Sequence, residues 1–160
     1  DRMDRLQADG EDGYLLHLRR GWLLYLNGRY ADSVEAYAAA VKKEASSVEA
    51  RTGMTLPLMA LKRWSDAEQT CDEILRIAPG NYLGMSRRAW VLFSAGRFAD
   101  AEAAYAAVLA QYPADNDMRA GLGWSLLRQG KSPAAQTAFE AVLHSVPGHL
   151  SAGQGIAALE

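Results

Sequence analysis

Apolar positions along this chain fall three and four residues apart, the spacing of one helical face, and the clusters they form recur. Gly28-Arg29-Tyr30-Ala31-Asp32, Lys62-Arg63-Trp64-Ser65-Asp66 and Gly96-Arg97-Phe98-Ala99-Asp100 stand 34 residues apart. Gly130-Lys131-Ser132-Pro133-Ala134 continues the series with a weaker ending. The same step carries small residues at Ser33, Ala67, Ala101 and Ala135, then Tyr37, Cys71, Tyr105 and Phe139, then Ala40, Ile74, Val108 and Val142. Pro79, Pro113 and Pro147 close three of the units. A fixed period of this length marks a repeat architecture.

Each unit, counted from Tyr14, Val48, Tyr82 and Asn116, reads as two helices joined by a tight turn. The first runs through stretches such as Tyr14 to Asn27 or Met118 to Gln129. Gly28, Gly96 and Gly130 suit a left-handed helix C-cap. Second helices are expected to start near Asp32, Asp66 and Asp100, whose carboxylates favour a helix N-terminus. In the fourth unit Ser132 reads as the N-cap and Pro133 as the first helical residue. The closing prolines stop each second helix. No stretch alternates with period two, so no strand is expected. Pro57 lies inside a predicted first helix, where it either leaves a tolerated kink or reshapes the surface at Leu56 and Met59.

The spacing and the small, aromatic, small and proline columns resemble the tetratricopeptide repeat family. The resemblance implies an all-α fold, a right-handed superhelical solenoid of 34-residue helix–turn–helix units. It covers residues 14–47, 48–81, 82–115 and 116–149 as four repeats. Residues 1–13 then fall at the end of a preceding repeat or cap, with Met3 and Leu6 at its core positions. Residues 150–160 resemble the opening of a further first helix, with Ile156 and Ala157 at core positions. His17, Arg51, Met85 and Arg119 replace the family's first-helix Trp. Thr55 replaces a small residue, Lys62 a turn Gly, Ala45 a closing proline and Ser132 the turn aromatic.

Within a first helix, the fourth, seventh, eighth and eleventh residues share a face and should meet the paired helix. They include Gly21, Leu24, Leu58, Ala89, Leu92, Leu122, Gly123 and Leu126. The second, fifth, ninth and twelfth form another face, roughly 135° away. The resemblance implies that this face lines the inner, concave side. Its ninth residues are Trp22, Leu56, Trp90 and Trp124, and its twelfth are Tyr25, Met59, Phe93 and Leu127. Leu15, Leu18 and Leu83 extend the stripe. Trp64 belongs to the turn column and reads as core. Five half-exposed aromatics would leave about 400–600 Å² uncovered, at or beyond the largest apolar patch of an ordinary monomer. The alternatives are a partner helix or extended peptide, self-association, cover from neighbouring repeats or chain ends, or a face that is simply buried. The family's clamp for acidic C-termini uses Lys and Asn or Arg at the fifth and ninth positions; Leu18, Thr52, Ser86 and Ala120 and the Trp/Leu column leave it absent.

Composition narrows the chemistry. Of the 160 residues, 49% are hydrophobic and 22% charged, which is ordinary globular usage. The net charge of −2 offers no broadly cationic nucleic-acid surface. One cysteine, Cys71, excludes an internal disulfide and a multi-cysteine zinc site, and reads as a buried small hydrophobe. No stretch approaches the roughly 20 apolar residues of a membrane helix. His17, His144 and His149 show no metal-ligand spacing. Gly153-Gln154-Gly155-Ile156-Ala157-Ala158 meets a loose dinucleotide pattern but follows a helix end rather than a strand. Asp72-Glu73, Arg19-Arg20, Lys42-Lys43 and Arg87-Arg88 read as solvated, and Arg29, Arg63, Arg97 and Lys131 would make a basic edge along the turns. The chain opens Asp-Arg-Met-Asp-Arg, without an initiator Met or an apolar leader, so we expect an excised or processed piece. Compartment, cytoplasmic or periplasmic, stays open.

These readings predict a scaffold with no enzymatic activity and no cofactor or metal. Its partner is a protein or peptide with an apolar segment, anchored above all on Trp22, Tyr25, Trp90, Phe93 and Trp124. The alternatives are homo-oligomeric assembly through the same face, or an accessory domain of a larger enzyme. Nucleic-acid binding and direct membrane insertion are not expected.

Overall fold

The structure, a computed structural model, describes the backbone of residues 2–160 and the side chains from residue 13 onward. Among the described residues it contains nine α-helices and no strand. They are α1 Arg2–Leu26, α2 Tyr30–Lys43, α3 Val48–Ala60, α4 Trp64–Ile77, α5 Tyr82–Ser94, α6 Phe98–Gln111, α7 Asn116–Arg128, α8 Ser132–Ser145 and α9 Leu150–Leu159. The chain divides into two compact units, Asp1–Gly84 and Met85–Glu160. The side chains of Met3 and Leu6, expected in the core of a preceding repeat, lie outside the described residues; the helix that contains Tyr14 runs from Arg2 onward.

Each turn between paired helices is closed by the same hydrogen bonds. The backbone N–H of Arg29 donates to the Leu24 carbonyl at 2.9 Å, Arg63 to Leu58 at 2.9 Å, Arg97 to Leu92 at 3.0 Å and Lys131 to Leu126 at 3.0 Å. This six-to-one bond requires a left-handed residue just before the donor. Gly28, Gly96 and Gly130 supply it, with φ of 73°, 79° and 76°. Lys62 adopts the same conformation at φ 56°, so the second turn keeps its shape with a residue that disfavours it by about 1–2 kcal/mol.

The second helices begin two residues earlier than their acidic residues suggest. Tyr30, Trp64, Phe98 and Ser132 are the first helical residues, and the caps are Arg29, Arg63, Arg97 and Lys131, none capping through its side chain. Ser132 is therefore not a cap, and Pro133 sits within the first helical turn. The expected basic edge is largely neutralised. Arg29 pairs with Asp32 at 2.7 Å, Arg63 with Asp66 at 2.8 Å and Arg97 with Asp100 at 2.8 Å. Lys131, with Ala134 three residues on, reaches Glu102 at 2.9 Å instead. Trp64 is half-buried rather than core.

First helices are capped by side chains. Ser47, Asp115 and His149 accept from the backbone N–H groups of Ala50, Met118 and Ala152, and Asn81 accepts from Gly84. In the second repeat the guanidinium of Arg51, where the family places Trp, is buried. It reaches Glu73 at 2.9 Å and donates to the Ser47 carbonyl at 3.0 Å, so the charge is compensated as a buried charge must be. Glu73 is thus a half-buried partner rather than a solvated acid, and Arg87 and Arg88 are half-buried too. Pro57 does not end α3, which at 13 residues matches α5 and α7 in length.

The repeat columns form the core. Ser33, Ala67, Ala101, Ala135, Ala40, Ile74, Val108 and Val142 have no exposed surface, and Tyr37, Cys71, Tyr105 and Phe139 are buried beside them. The predicted intra-repeat face is likewise buried at Gly21, Leu24, Leu58, Ala89, Leu92, Gly123 and Leu126, with Leu122 half-buried. In α9 the buried residues are Ala152 and Gly155, which meet the Phe139 cluster, whereas Ile156 is half-buried and Ala157 exposed.

Rings set the helix spacing. A methyl group on Gly21 or Gly53 would approach the Tyr37 ring closer than 3.0 Å. Gly121 stands in the same relation to Tyr105, and Gly123 and Gly155 to Phe139. Each ring is therefore seated on backbone, against the glycine six residues into the next first helix. Gly121→Ala should lower stability by about 1–2 kcal/mol, overpacking outweighing the gain in helix propensity. Gly153→Ala, with open space around the added methyl, should raise it by about 0.5–1 kcal/mol. Urea denaturation of the two variants checks both signs.

Candidate functional site

Seating a ring behind a glycine also opens a slot above it. In the first unit, Leu18 and Trp22 from α1 and Thr52 and Gly53 from α3 enclose a groove of about 320 Å³ over the Tyr37 ring. Arg19 and Glu49 stand at its margin. Trp22 remains 47% exposed. Its indole leans on Tyr25 at 5.8 Å between centroids, and Tyr25 leans on the turn residue Tyr30 at 5.7 Å.

In the second unit the corresponding groove is larger, about 480 Å³. Trp90 and Phe93 from α5 and Met118, Gly121 and Trp124 from α7 line it over Tyr105. Phe93 is held edge-on by the turn residue Phe98 at 5.3 Å. Trp90 is 43% exposed, but Trp124 is anchored: its indole N–H donates to Ser151 Oγ at 3.0 Å and its ring meets Phe139 edge-on at 5.6 Å. Asp117, Arg128, His149 and Ser151 complete the rim. The Arg128 guanidinium lies 5.9 Å from the centre of the Phe98 ring.

None of the eleven residues singled out from the sequence is fully buried. Leu15, Trp22, Leu83 and Trp90 are exposed, and Leu18, Tyr25, Leu56, Met59, Phe93, Trp124 and Leu127 are half-buried. Leu18 and Trp22 share one groove, and Trp90, Phe93 and Trp124 share the other. Leu15, Tyr25, Leu56, Met59, Leu83 and Leu127 line neither. The polar rim went unread, as did a second exposed face on α1 carrying Leu16, Leu23 and Leu26, with Leu16 at 65%. Repeat arithmetic would have marked Leu23, because the tenth positions of the later first helices, Pro57, Val91 and Ser125, are buried.

The rim groups do not form a hydrolytic triad. His149 Nδ1 accepts the Ala152 N–H at 3.2 Å, which places its proton on Nε2, 2.8 Å from Asp117 Oδ1. Both ring nitrogens are therefore engaged, while Ser151 Oγ accepts from Trp124. No three metal-ligating side chains gather among the described residues. Nor is any described helix long and apolar enough to cross a membrane. Gly153 to Ala158 lies inside α9, with no strand beside it. On α6, Glu102 accepts from Lys131 at 2.9 Å and from Gln129 at 2.7 Å, and these bonds hold its carboxyl below the usual range.

A profile of the tetratricopeptide repeat matches residues 2–50, 18–82, 86–150 and 120–159. The chain belongs to the tetratricopeptide repeat family. No curated protein sequence matches it. Among solved structures it is similar to a crystal structure of MamA protein, at 17% identity and a TM-score of 0.84 over 93% of this chain and 81% of that one. It also resembles YrrB, described as a TPR protein with an unusual peptide-binding site, at 18% identity and a TM-score of 0.74 over 98% and 83%. A third likeness is the first TPR of Spaghetti (RPAP3), bound to the HSP90 peptide SRMEEVD, at 18% identity and a TM-score of 0.69 over 74% and 94%. At these identities the likeness shows the fold, an all-α tetratricopeptide repeat solenoid.

Burial pushes the Tyr105 phenol at the base of the second groove up to about 12. An unfolded tyrosine ionises near 10. A phenol with a raised folded value keeps its proton longer in the folded state, so its contribution is complete below about pH 10 and lost as pH climbs toward 12. Across that window the wild type should lose about 2–3 kcal/mol more stability than Tyr105→Phe. Denaturant melts at stepped alkaline pH measure the difference.

Proposed function

We propose that this repeat array is a non-enzymatic protein-interaction scaffold whose aromatic grooves bind an apolar helix or extended segment of a partner. The exposed indole of Trp90, held over a groove of about 480 Å³, carries this reading. Large aromatic rings beside a slot are the usual source of binding energy at such surfaces, because they bury much area at little conformational cost. YrrB and RPAP3, which share the fold, are described with a peptide-binding site and a bound peptide, and that supports the class of function. The acidic peptide of RPAP3 is a poor guide to this partner, since the fifth and ninth positions here hold Leu18, Thr52, Ser86, Ala120 and the Trp/Leu column.

The anchors to test are Trp22 and Trp90. Trp124 packs on Phe139, so its removal would disturb folding as well as binding. An array of random 12-residue peptides, probed with the whole chain, should show a set of binders. Trp22→Ala/Trp90→Ala should lose them, by tenfold or more, with helical circular dichroism near wild type. Equal binding by the double variant would contradict the groove reading.

A second reading, self-association, is favoured by the exposed Leu16, Leu23 and Leu26 of α1. Light scattering over a hundredfold concentration range separates the two. The groove reading predicts a constant mass near 17.4 kDa. Growth in mass that Leu16→Glu/Leu23→Glu removes would establish assembly through α1.

A further inference from the structure

The two grooves are the same pocket at a spacing of two repeats. Trp22 and Trp90 form a wall, Tyr37 and Tyr105 a floor, and Gly53 and Gly121 the window onto that floor. A carboxylate recurs at the rim as well, Glu49 in one and Asp117 in the other, both exposed. All four pairs are 68 residues apart. One repeat on from the first set, the same positions read Leu56, Cys71, Arg87 and Leu83, so all four features change together. At the end of the chain they read Trp124, Phe139, Gly155 and Ser151, and there the indole turns to Ser151.

We propose that each of these pockets receives a basic side chain, lysine or arginine, from the partner segment. This deepens the groove reading above and rests on it. An alkyl stem lies well on an indole face with its charged end in water, and the cation gains from the ring and from a carboxylate at the far margin. A purely apolar side chain would fill the slot but gain nothing from the carboxylate that both rims share. An acidic one would meet like charge. Asp117 gives Oδ1 to His149, which leaves Oδ2 for a ligand. The rims also carry Arg19 and Arg128, but these occupy different repeat positions, and Arg128 is directed over Phe98. The carboxylate is what recurs, so it defines the specificity common to both pockets.

The test uses the whole chain on the same random-peptide array, comparing wild type with Glu49→Gln/Asp117→Asn and Trp22→Ala/Trp90→Ala. Binders should be enriched in Lys or Arg flanked by apolar residues. The carboxamide variant should bind them about tenfold more weakly, keeping its circular dichroism, and the Trp variant should lose them. Binders without Lys or Arg, lost with the tryptophans and indifferent to the carboxamides, would overturn the basic-side-chain claim and leave the groove standing. Basic binders that survive loss of the tryptophans would reduce the effect to diffuse charge attraction and overturn the pocket. If no peptide binds, the groove reading falls and this inference with it.

Discussion

The contact between a second-helix ring and a glycine backbone sets the geometry of everything else here. Tyr37 lies against Gly21 and Gly53, and Phe139 against Gly123 and Gly155, with no room for a methyl group at any of the four. A ring that large leaves no room for a side chain at those glycines, so the flanking helices meet it through backbone. Tight packing and an open slot are thus two results of one choice. The ring fills the core, and its outward edge becomes the floor of a groove whose wall is the ninth-position tryptophan.

Around that contact, polar groups are paired in ways that fix the turns and leave the grooves distinct. The basic caps fold back onto acids three residues on, and Lys131 with Gln129 grips Glu102. Exposed pairs of this kind contribute about 0–1 kcal/mol each, so their main consequence is to remove a basic stripe from the surface. Arg51 differs because its guanidinium is buried; losing Glu73 would strand a charge where a tryptophan side chain stands in related repeats. The exposed apolar surface that remains is aromatic and aliphatic, on α1 and at Trp90.

Much of this was legible in the sequence. The 34-residue period marked the turns between paired helices, their left-handed glycines and the twelve core residues, because each follows from spacing and residue size alone. The face carrying Trp22 and Trp90 also emerged from helical arithmetic. Other features depend on the partner a residue meets, which periodicity along one helix does not encode. The arginine caps were hidden because their aspartates look like cap residues, and the burial of Glu73 was hidden because Arg51 lies in a different helix. Trp124, expected as a partner anchor, lines the second groove but is also held by Ser151 and Phe139, contacts that lie in other helices. The pairing of Tyr37 with Gly53 and of Tyr105 with Gly121 was present in the sequence, but only as a comparison between adjacent repeats.

The central claim is that Trp22 and Trp90 stay exposed beside their grooves while Trp124 is held by Ser151 and Phe139. Indole ring C–H signals, observed by ¹³C NMR with a soluble paramagnetic agent, test it directly. The account predicts strong attenuation for the exposed rings of Trp22 and Trp90 and weaker attenuation for Trp124, which packs on Phe139 and is bonded to Ser151. Equal protection of all three would mean that the stripe is covered, and the grooves would then not be binding surfaces.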